Sequence, residues 1–213
     1  MKNKIADIRN DYRLSSLSFK DLKLNPIDQF NIWFQNALSL NVMEVNAMVL
    51  STVSKDGIPS GRVVLLKNVD YSGFIFYTNY NSSKGLDMKF NPNVSVTFFW
   101  PELEQQIRIS GTVMKLDPEI SDVYFNSRPK GSQISASASN QSTLIDDRSV
   151  LENEVNRLEK LYKNKDIPRP DHWGGYLLSP SRIEFWQGRA SRLHDRCLYE
   201  LYGDDWKVNR LAP

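Results

Sequence analysis

AMVLSTVSKDGIPSGRVVLLKNVDYSGFIFYT, residues 47–78, is the stretch whose reading decides the fold. It holds three runs rich in β-branched, aliphatic and aromatic residues: 47–53 (AMVLSTV), 61–67 (GRVVLLK) and 74–78 (FIFYT). Ser54-Lys55-Asp56-Gly57 and Asp70-Tyr71-Ser72-Gly73 separate them. Asp, Ser and Gly at such breaks turn the chain back on itself, so the runs read as consecutive antiparallel strands. The pattern resumes at 94–100 and 106–116, around Pro101-Glu102. It returns at 176–178, 183–186, 196–201 and 206–211, with Gly203-Asp204-Asp205 as the last hairpin turn.

Helices fill the gaps. Asn25 caps and Pro26 opens a helix over 26–40, on which Ile27, Phe30, Phe34, Ala37 and Leu38 form one apolar stripe. Ser82 caps a short helix over 83–91 with Leu86 and Phe90 inward, and Asp117-Pro118 opens another that runs to Ser127. Residues 128–146 are rich in Ser, Gly, Asn and Gln with no apolar stripe, and read as a long loop of the kind that is usually functional or mobile. Val150, Leu151, Val155, Leu158 and Leu161 support a helix over 147–163, stopped by Ile167-Pro168-Arg169-Pro170. Residues 1–24 read as a polar, partly mobile arm with a helical turn around 5–12. The expected fold class is mainly β with peripheral α: an antiparallel barrel of six to eight strands, closed or half-closed, in one domain over 25–213.

Composition narrows the function. Apolar residues at 40% and charged residues at 24% exclude a disordered chain. No apolar run reaches the roughly 18 residues of a membrane helix, and MKNKIADIRNDYR lacks a secretory apolar stretch, so a cytoplasmic location is expected. One cysteine, Cys197, and two histidines, His172 and His194, leave no disulfide and no set for a structural zinc, so no metal is expected. A net charge of +2 is too small for a nucleic-acid partner. The Gly-rich dinucleotide fingerprint, the P-loop and the G-x-S-x-G elbow are all missing.

Four polar clusters remain. Arg62 and Lys67 flank VVLL. Their odd spacing puts them on opposite faces of an ideal strand, serving two anions, unless a bulge brings them together; charged ends of an ordinary strand are the competing reading. Tyr124, Arg128, Lys130 and Ser132 combine a phenol, a guanidinium fork and a hydroxyl, a suitable donor set for phosphate, against the alternative of a solvated helix end. Gln141-Ser142 carries little by itself. In EFWQGRASRLHDR, 184–196, Arg189, Arg192 and Arg196 surround His194 beside Trp186, an electropositive pocket suited to anions and to stacking on a flat heterocycle.

Together the motifs carry a resemblance. RNDY at 9–12, RVVLLK at 62–67, FYTN at 76–79, SRPKGSQ at 127–133, NQS at 140–142, EFWQG at 184–188, RLHDR at 192–196 and RLAP at 210–213 resemble the pyridoxine 5'-phosphate oxidase family, in order and over nearly the whole chain. The resemblance implies an FMN-binding split barrel. It implies a homodimer with FMN at the interface, and oxidation of pyridoxine or pyridoxamine 5'-phosphate to pyridoxal 5'-phosphate. O2 is the implied acceptor, H2O2 is released, and hydride passes to flavin N5. It assigns Arg62, Val63, Val64, Leu65, Leu66, Lys67, Tyr77, Thr78, Ser83, Lys84, Gln106, Gln141, Ser142, Trp186 and Arg196 to the FMN shell. Lys67, Tyr124, Arg128 and Ser132 are implied to hold the substrate phosphate. Arg192, Leu193 and His194 are implied at the pyridine ring, with Arg192 and His194 catalytic, and Arg9, Asn10, Asp11 and Tyr12 in a segment that closes over the substrate.

Two departures stand out. Ser83 occupies a position where the family usually has a basic residue, and Ser135–Ser139 replaces a stretch that often carries Gly and Trp, which is expected to loosen the segment. The competing functions are a non-catalytic flavin or pyridoxal phosphate carrier and a split-barrel flavin reductase with another substrate.

Overall fold

Residues 47–78 do form three antiparallel strands: β1 (Ala47–Val53), β2 (Pro59–Asp70) and β3 (Gly73–Asn79). Gly57, at φ +79°, makes the reversal after β1, where its N–H donates to the Ser54 carbonyl at 3.0 Å. A side chain would strain that left-handed backbone. The computed structural model describes residues 5–8 and 10–213; Arg9, one of the expected substrate residues, lies outside them.

The remaining strands are β4 (Asn93–Trp100), β5 (Gln105–Lys115), β6 (Trp173–Gln187), β7 (Asp195–Tyr202) and β8 (Asp205–Leu211). Their hydrogen-bonded order is β3-β2-β1-β4-β5-β6-β7-β8, and β3 also pairs with β6. Six strands thus close on themselves, while β7 and β8 continue outward from β6. The 176–178 and 183–186 runs are one strand rather than two. Pro180, which reads as a break, lies between the segment paired with β3 (173–178) and that paired with β7 (182–187), outside both of those ladders.

Close packing divides the chain into two units. One comprises Met1–Val49, Ser95–Gly111 and Pro180–Pro213. Its helix α1 (Pro26–Ser39) is capped by Asn25 as expected and buries Ile27, Phe30, Trp33 and Ala37. Phe30 meets Phe98 edge-on at 5.4 Å and Trp33 meets Phe185 at 5.3 Å. Trp33 replaces Leu38 in the expected stripe; Leu38 is exposed. Among its described residues the arm forms two short 3-10 turns, Ile5–Asp7 within the expected 5–12 stretch and Phe19–Asp21 after it.

The other unit comprises Leu50–Val94 and Thr112–Ser179. It carries α2 (Ser83–Phe90), α3 (Pro118–Ser127), α4 (Lys130–Ala138) and α5 (Arg148–Leu161) around a core of Phe125, Ile134, Leu158, Ile167 and Trp173. Helix α4 corrects the first part of the expected loop over 128–146, whereas residues 139–146 carry no helix or strand. Only Ile134 anchors it, so no stripe announces it. Ser135 and Ser137 donate to the carbonyls of Gly131 and Gln133, which satisfies their hydroxyls within the helix. Asp117 precedes α3 without a side-chain cap bond. On α5, Val150 and Leu161 are exposed and Leu158 takes the buried place.

Helix α2 is also turned from its expected face: Gly85 and Met88 are buried, whereas Leu86 and Phe90 are exposed. Gly85 sets this rotation. A Cβ there would lie 2.2 Å from the Tyr80 carbonyl oxygen, so only glycine lets the helix start this close to the end of β3. Gly85→Ala is expected to destabilise the protein by roughly 1–3 kcal/mol through overpacking, a loss readable as a lower Tm. An unchanged Tm would mean the helix shifts freely. No helix among the described residues is long and apolar enough to cross a membrane.

Candidate functional site

The largest concentration of expected site residues lines one cavity of about 720 Å³ in the second unit. Val63, Leu65 and Lys67, alternate residues of β2, open onto it together with Val64. Tyr77 and Thr78 of β3, Lys84 of α2, Tyr124 of α3, and Arg128, Ser132 and Gln141 complete the expected set. Arg128 follows the last residue of α3, in extended backbone that Pro129 favours, and this ends the helix with Tyr124 and Arg128 in the same wall.

Arg128 is the most informative side chain. Its Nη1 is buried and has no hydrogen-bond partner, and it makes no ion pair among the described residues. Burial lowers its pKa, so the site already disfavours the isolated cation and gains from an incoming anion. Lys67 likewise has no ion pair among the described residues. Lys84 donates to Gln141 Oε1 at 2.8 Å and to Ser82 Oγ at 3.1 Å. Burial, and then the nearby Arg62, push the Lys84 pKa down.

Several expected members stand elsewhere. Arg62 is on the face of β2 opposite Lys67, as their odd spacing suggests, with the strand's register shift coming only at 66–68. Its guanidinium donates to Thr52 Oγ1 at 2.6 Å, to Ser60 Oγ at 2.7 Å and to the Leu50 carbonyl. Thr52 in turn donates to Asp87 at 2.6 Å. Arg62 therefore does not line the cavity. Leu66 is buried, Ser83 is exposed at the start of α2, and neither lines it. Ser142, at φ +73°, faces the neighbouring hollow formed by 138–146 and α5. Lys130 turns away to the carbonyls of Tyr162 and Lys163 at the negative end of α5.

The first unit holds the RLHDR group. A hollow there is lined by Asn10, Asp11, Tyr12, Arg189, Arg192 and His194, among others. The electropositive pocket expected from Arg189, Arg192 and Arg196 around His194 is reduced by ion pairing. Arg189 pairs with Asp195 at 2.8 Å and Arg196 with buried Glu184 at 2.8 Å, which leaves Arg192 with no ion pair among the described residues. Ser191 and Arg192 both have left-handed backbone, at φ 55° and 63°, a conformation that costs about 1–2 kcal/mol per residue and presents Arg192 at the hollow. The Arg189 N–H donates to His194 Nδ1 at 3.1 Å, so neutral His194 carries its proton on Nε2. Trp186 packs 4.6 Å from the imidazole, and Tyr12 meets Trp186 edge-on at 5.7 Å. Leu193 is exposed outside the hollow, and Gln106 is half-buried on β5.

Residues 36–162 match the family described as pyridoxamine 5'-phosphate oxidase. The chain belongs to that family. Residues 173–213 match the pyridoxine 5'-phosphate oxidase C-terminal dimerisation region. The pyridoxine/pyridoxamine 5'-phosphate oxidase of Trichormus variabilis is 51% identical over 214 aligned residues, covering 100% of both chains. PhzG from Burkholderia lata, solved with tetrahydrophenazine-1-carboxylic acid, is 33% identical with a TM-score of 0.89, over 96% of this chain and all of that one. A pyridoxamine 5'-phosphate oxidase-related, FMN binding protein of Nostoc punctiforme has a TM-score of 0.71 at 16% identity, over 90% of this chain and all of that one. The antiparallel barrel expected from the strand pattern, which the resemblance named an FMN-binding split barrel, is the fold observed.

Sequence reasoning missed part of the lining of the 720 Å³ cavity. Asn79, Ser139, Leu151, Val155 and Trp173 also line it. Leu151 and Val155 were legible only as a helix stripe. A tryptophan directly before Gly174-Gly175 is the one signal that pointed to Trp173.

Proposed function

We propose that the chain is an FMN-dependent oxidase that converts pyridoxine 5'-phosphate or pyridoxamine 5'-phosphate to pyridoxal 5'-phosphate, as a homodimer with FMN at the subunit interface. The alcohol substrate loses two hydrogens, which leave with O2 as H2O2; the amine substrate also takes up water and releases ammonia. Relatives of that name at 50–51% identity over essentially the whole chain support the reading. The observation that carries it is the buried, unpartnered Arg128 Nη1, in one cavity with Lys67, Tyr124 and Ser132. A fork, an ammonium, a phenol and a hydroxyl match a phosphate dianion, and a ligand without one leaves the guanidinium nitrogen unsatisfied.

The residues present also fit FMN. Lys84 is a cation with no carboxylate paired to it among the described residues, held near Arg62 and beside Gln141, an arrangement that an anionic phosphate relieves. Val63, Val64 and Leu65 offer apolar contact and Tyr77 and Thr78 polar contact in the same cavity. When bound, FMN supplies the two-electron acceptor. We assign Arg192 to clamping the pyridine ring and His194 to orienting the substrate's polar groups from Nε2. Arg196, held by Glu184, would interact with the cofactor as a cationic hydrogen-bond donor when FMN is bound. Gln106, Trp186 and Ser142 are assigned to FMN, Leu193 to the substrate beside Arg192 and His194, and Asn10, Asp11 and Tyr12 to closure over the substrate, on the family resemblance.

Peroxide and pyridoxal 5'-phosphate are expected in equal amounts when the protein meets pyridoxine 5'-phosphate in air. Tight binding with no peroxide would make it a carrier. Ser83→Arg, which adds a cation at the start of α2, is expected to tighten FMN roughly two- to fivefold at low salt, with the gain lost at high salt. An FMN Kd that does not move at either salt concentration rules that contribution out.

A further inference from the structure

Arg128 lies against a cluster of near-parallel aromatic rings. Tyr77 and Tyr124 lie face to face at 3.9 Å and 20°, and Trp173 lies beside them, 5.4 Å from Tyr77 and 6.2 Å from Tyr124, with its plane within 7° of that of Tyr124. The Arg128 guanidinium carbon sits 4.6 Å from the centre of the Trp173 ring. The indole is itself fixed. Phe125 meets it edge-on at 5.3 Å, and Arg169, which is paired with Asp122 at 2.6 Å, donates to the Trp173 carbonyl at 2.7 Å.

We propose that Trp173 is the positioning residue of the substrate-phosphate subsite: its ring holds the Arg128 guanidinium at the cavity wall by a cation–π contact, already oriented and without a competing protein carboxylate. This rests on the phosphate reading above and adds the residue that makes it work. A guanidinium held by a carboxylate would spend its fork on that carboxylate. A ring face holds the charge while leaving the N–H groups unused. Orientation before binding reduces the side-chain ordering lost when the anion arrives.

The holoenzyme variants Trp173→Leu and Trp173→Phe test this, with two readouts. In turnover, Trp173→Leu is expected to raise KM for pyridoxine 5'-phosphate roughly three- to thirtyfold with kcat within about twofold, and Trp173→Phe to recover part of the loss. In titration of the holoenzyme with inorganic phosphate, which needs no turnover, the Kd is expected to rise by the same factor in Trp173→Leu. In an Arg128→Ala background, Trp173→Leu is expected to add nothing to either value. An unchanged phosphate Kd, or a full Trp173 effect without Arg128, overturns the proposal. If the leucine variant does not fold, Trp173→Phe with unchanged phosphate Kd does the same. Absence of turnover by the wild-type protein, with phosphate binding intact and sensitive to Trp173, would count against the oxidase reading and leave the subsite assignment standing.

Discussion

Arg192→Ala is expected to lower kcat/KM for pyridoxine 5'-phosphate by about 10²–10³ while the purified protein stays yellow. The size follows from three features that meet in one residue. Arg192 is the arginine of its cluster left without an ion pair among the described residues, since Asp195 holds Arg189 and Glu184 holds Arg196. Its backbone is left-handed, directly after a left-handed Ser191, so the chain bears local strain to present this side chain. It shares its hollow with Tyr12 and His194. In the proposed reading Arg192 acts on the reacting ring rather than on a remote handle, so its loss is expected to fall mainly on kcat. Arg192→Lys keeps the charge but loses the planar fork, and is expected to recover only part of the rate. A colourless Arg192→Ala protein would instead place Arg192 on the flavin.

The second large effect is expected at the proposed phosphate handle of the substrate. Arg128→Ala removes a charged contact to phosphate worth roughly 1.5–3 kcal/mol, which raises KM about ten- to a hundredfold with a smaller change in kcat. The buried Nη1 has no other occupation, so no internal rearrangement offsets the loss. Unphosphorylated pyridoxine makes the control. Its weak turnover should be nearly indifferent to Arg128, because the missing partner is the phosphate itself. Equal losses with both compounds would show that Arg128 serves the cavity's shape instead.

These two arginines illustrate what a sequence discloses. Strands and turns were legible because apolar runs and Asp/Gly breaks are local facts; β1 spans the very residues, 47–53, that the pattern marks. The phosphate donors Tyr124, Arg128 and Ser132 were legible because their chemistry is unusual in combination. Charge neutralisation was not. Glu184 and Asp195 lie within the same motif as the arginines they hold, but the pairing depends on the β6–β7 register, which sets Trp186 opposite Arg196 and Gln187 opposite Asp195. Arg62 was legible as a cation on the face of β2 opposite Lys67, but its hold on Thr52, 10 residues away on β1, was not. Helix α4 was hidden because a single isoleucine anchors it. Trp173 was hidden because its role exists only once Arg128 lies over its ring.

The central claim is that one protein binds FMN and uses it to oxidise a phosphorylated pyridine. An absorbance spectrum of the purified protein, recorded before and after anaerobic addition of pyridoxine 5'-phosphate, tests both halves at once. The account predicts a flavin band that bleaches on addition and returns when air is admitted. A protein that purifies without flavin and takes up none, or a flavin band that stays unbleached by pyridoxine and pyridoxamine 5'-phosphate alike, would contradict it.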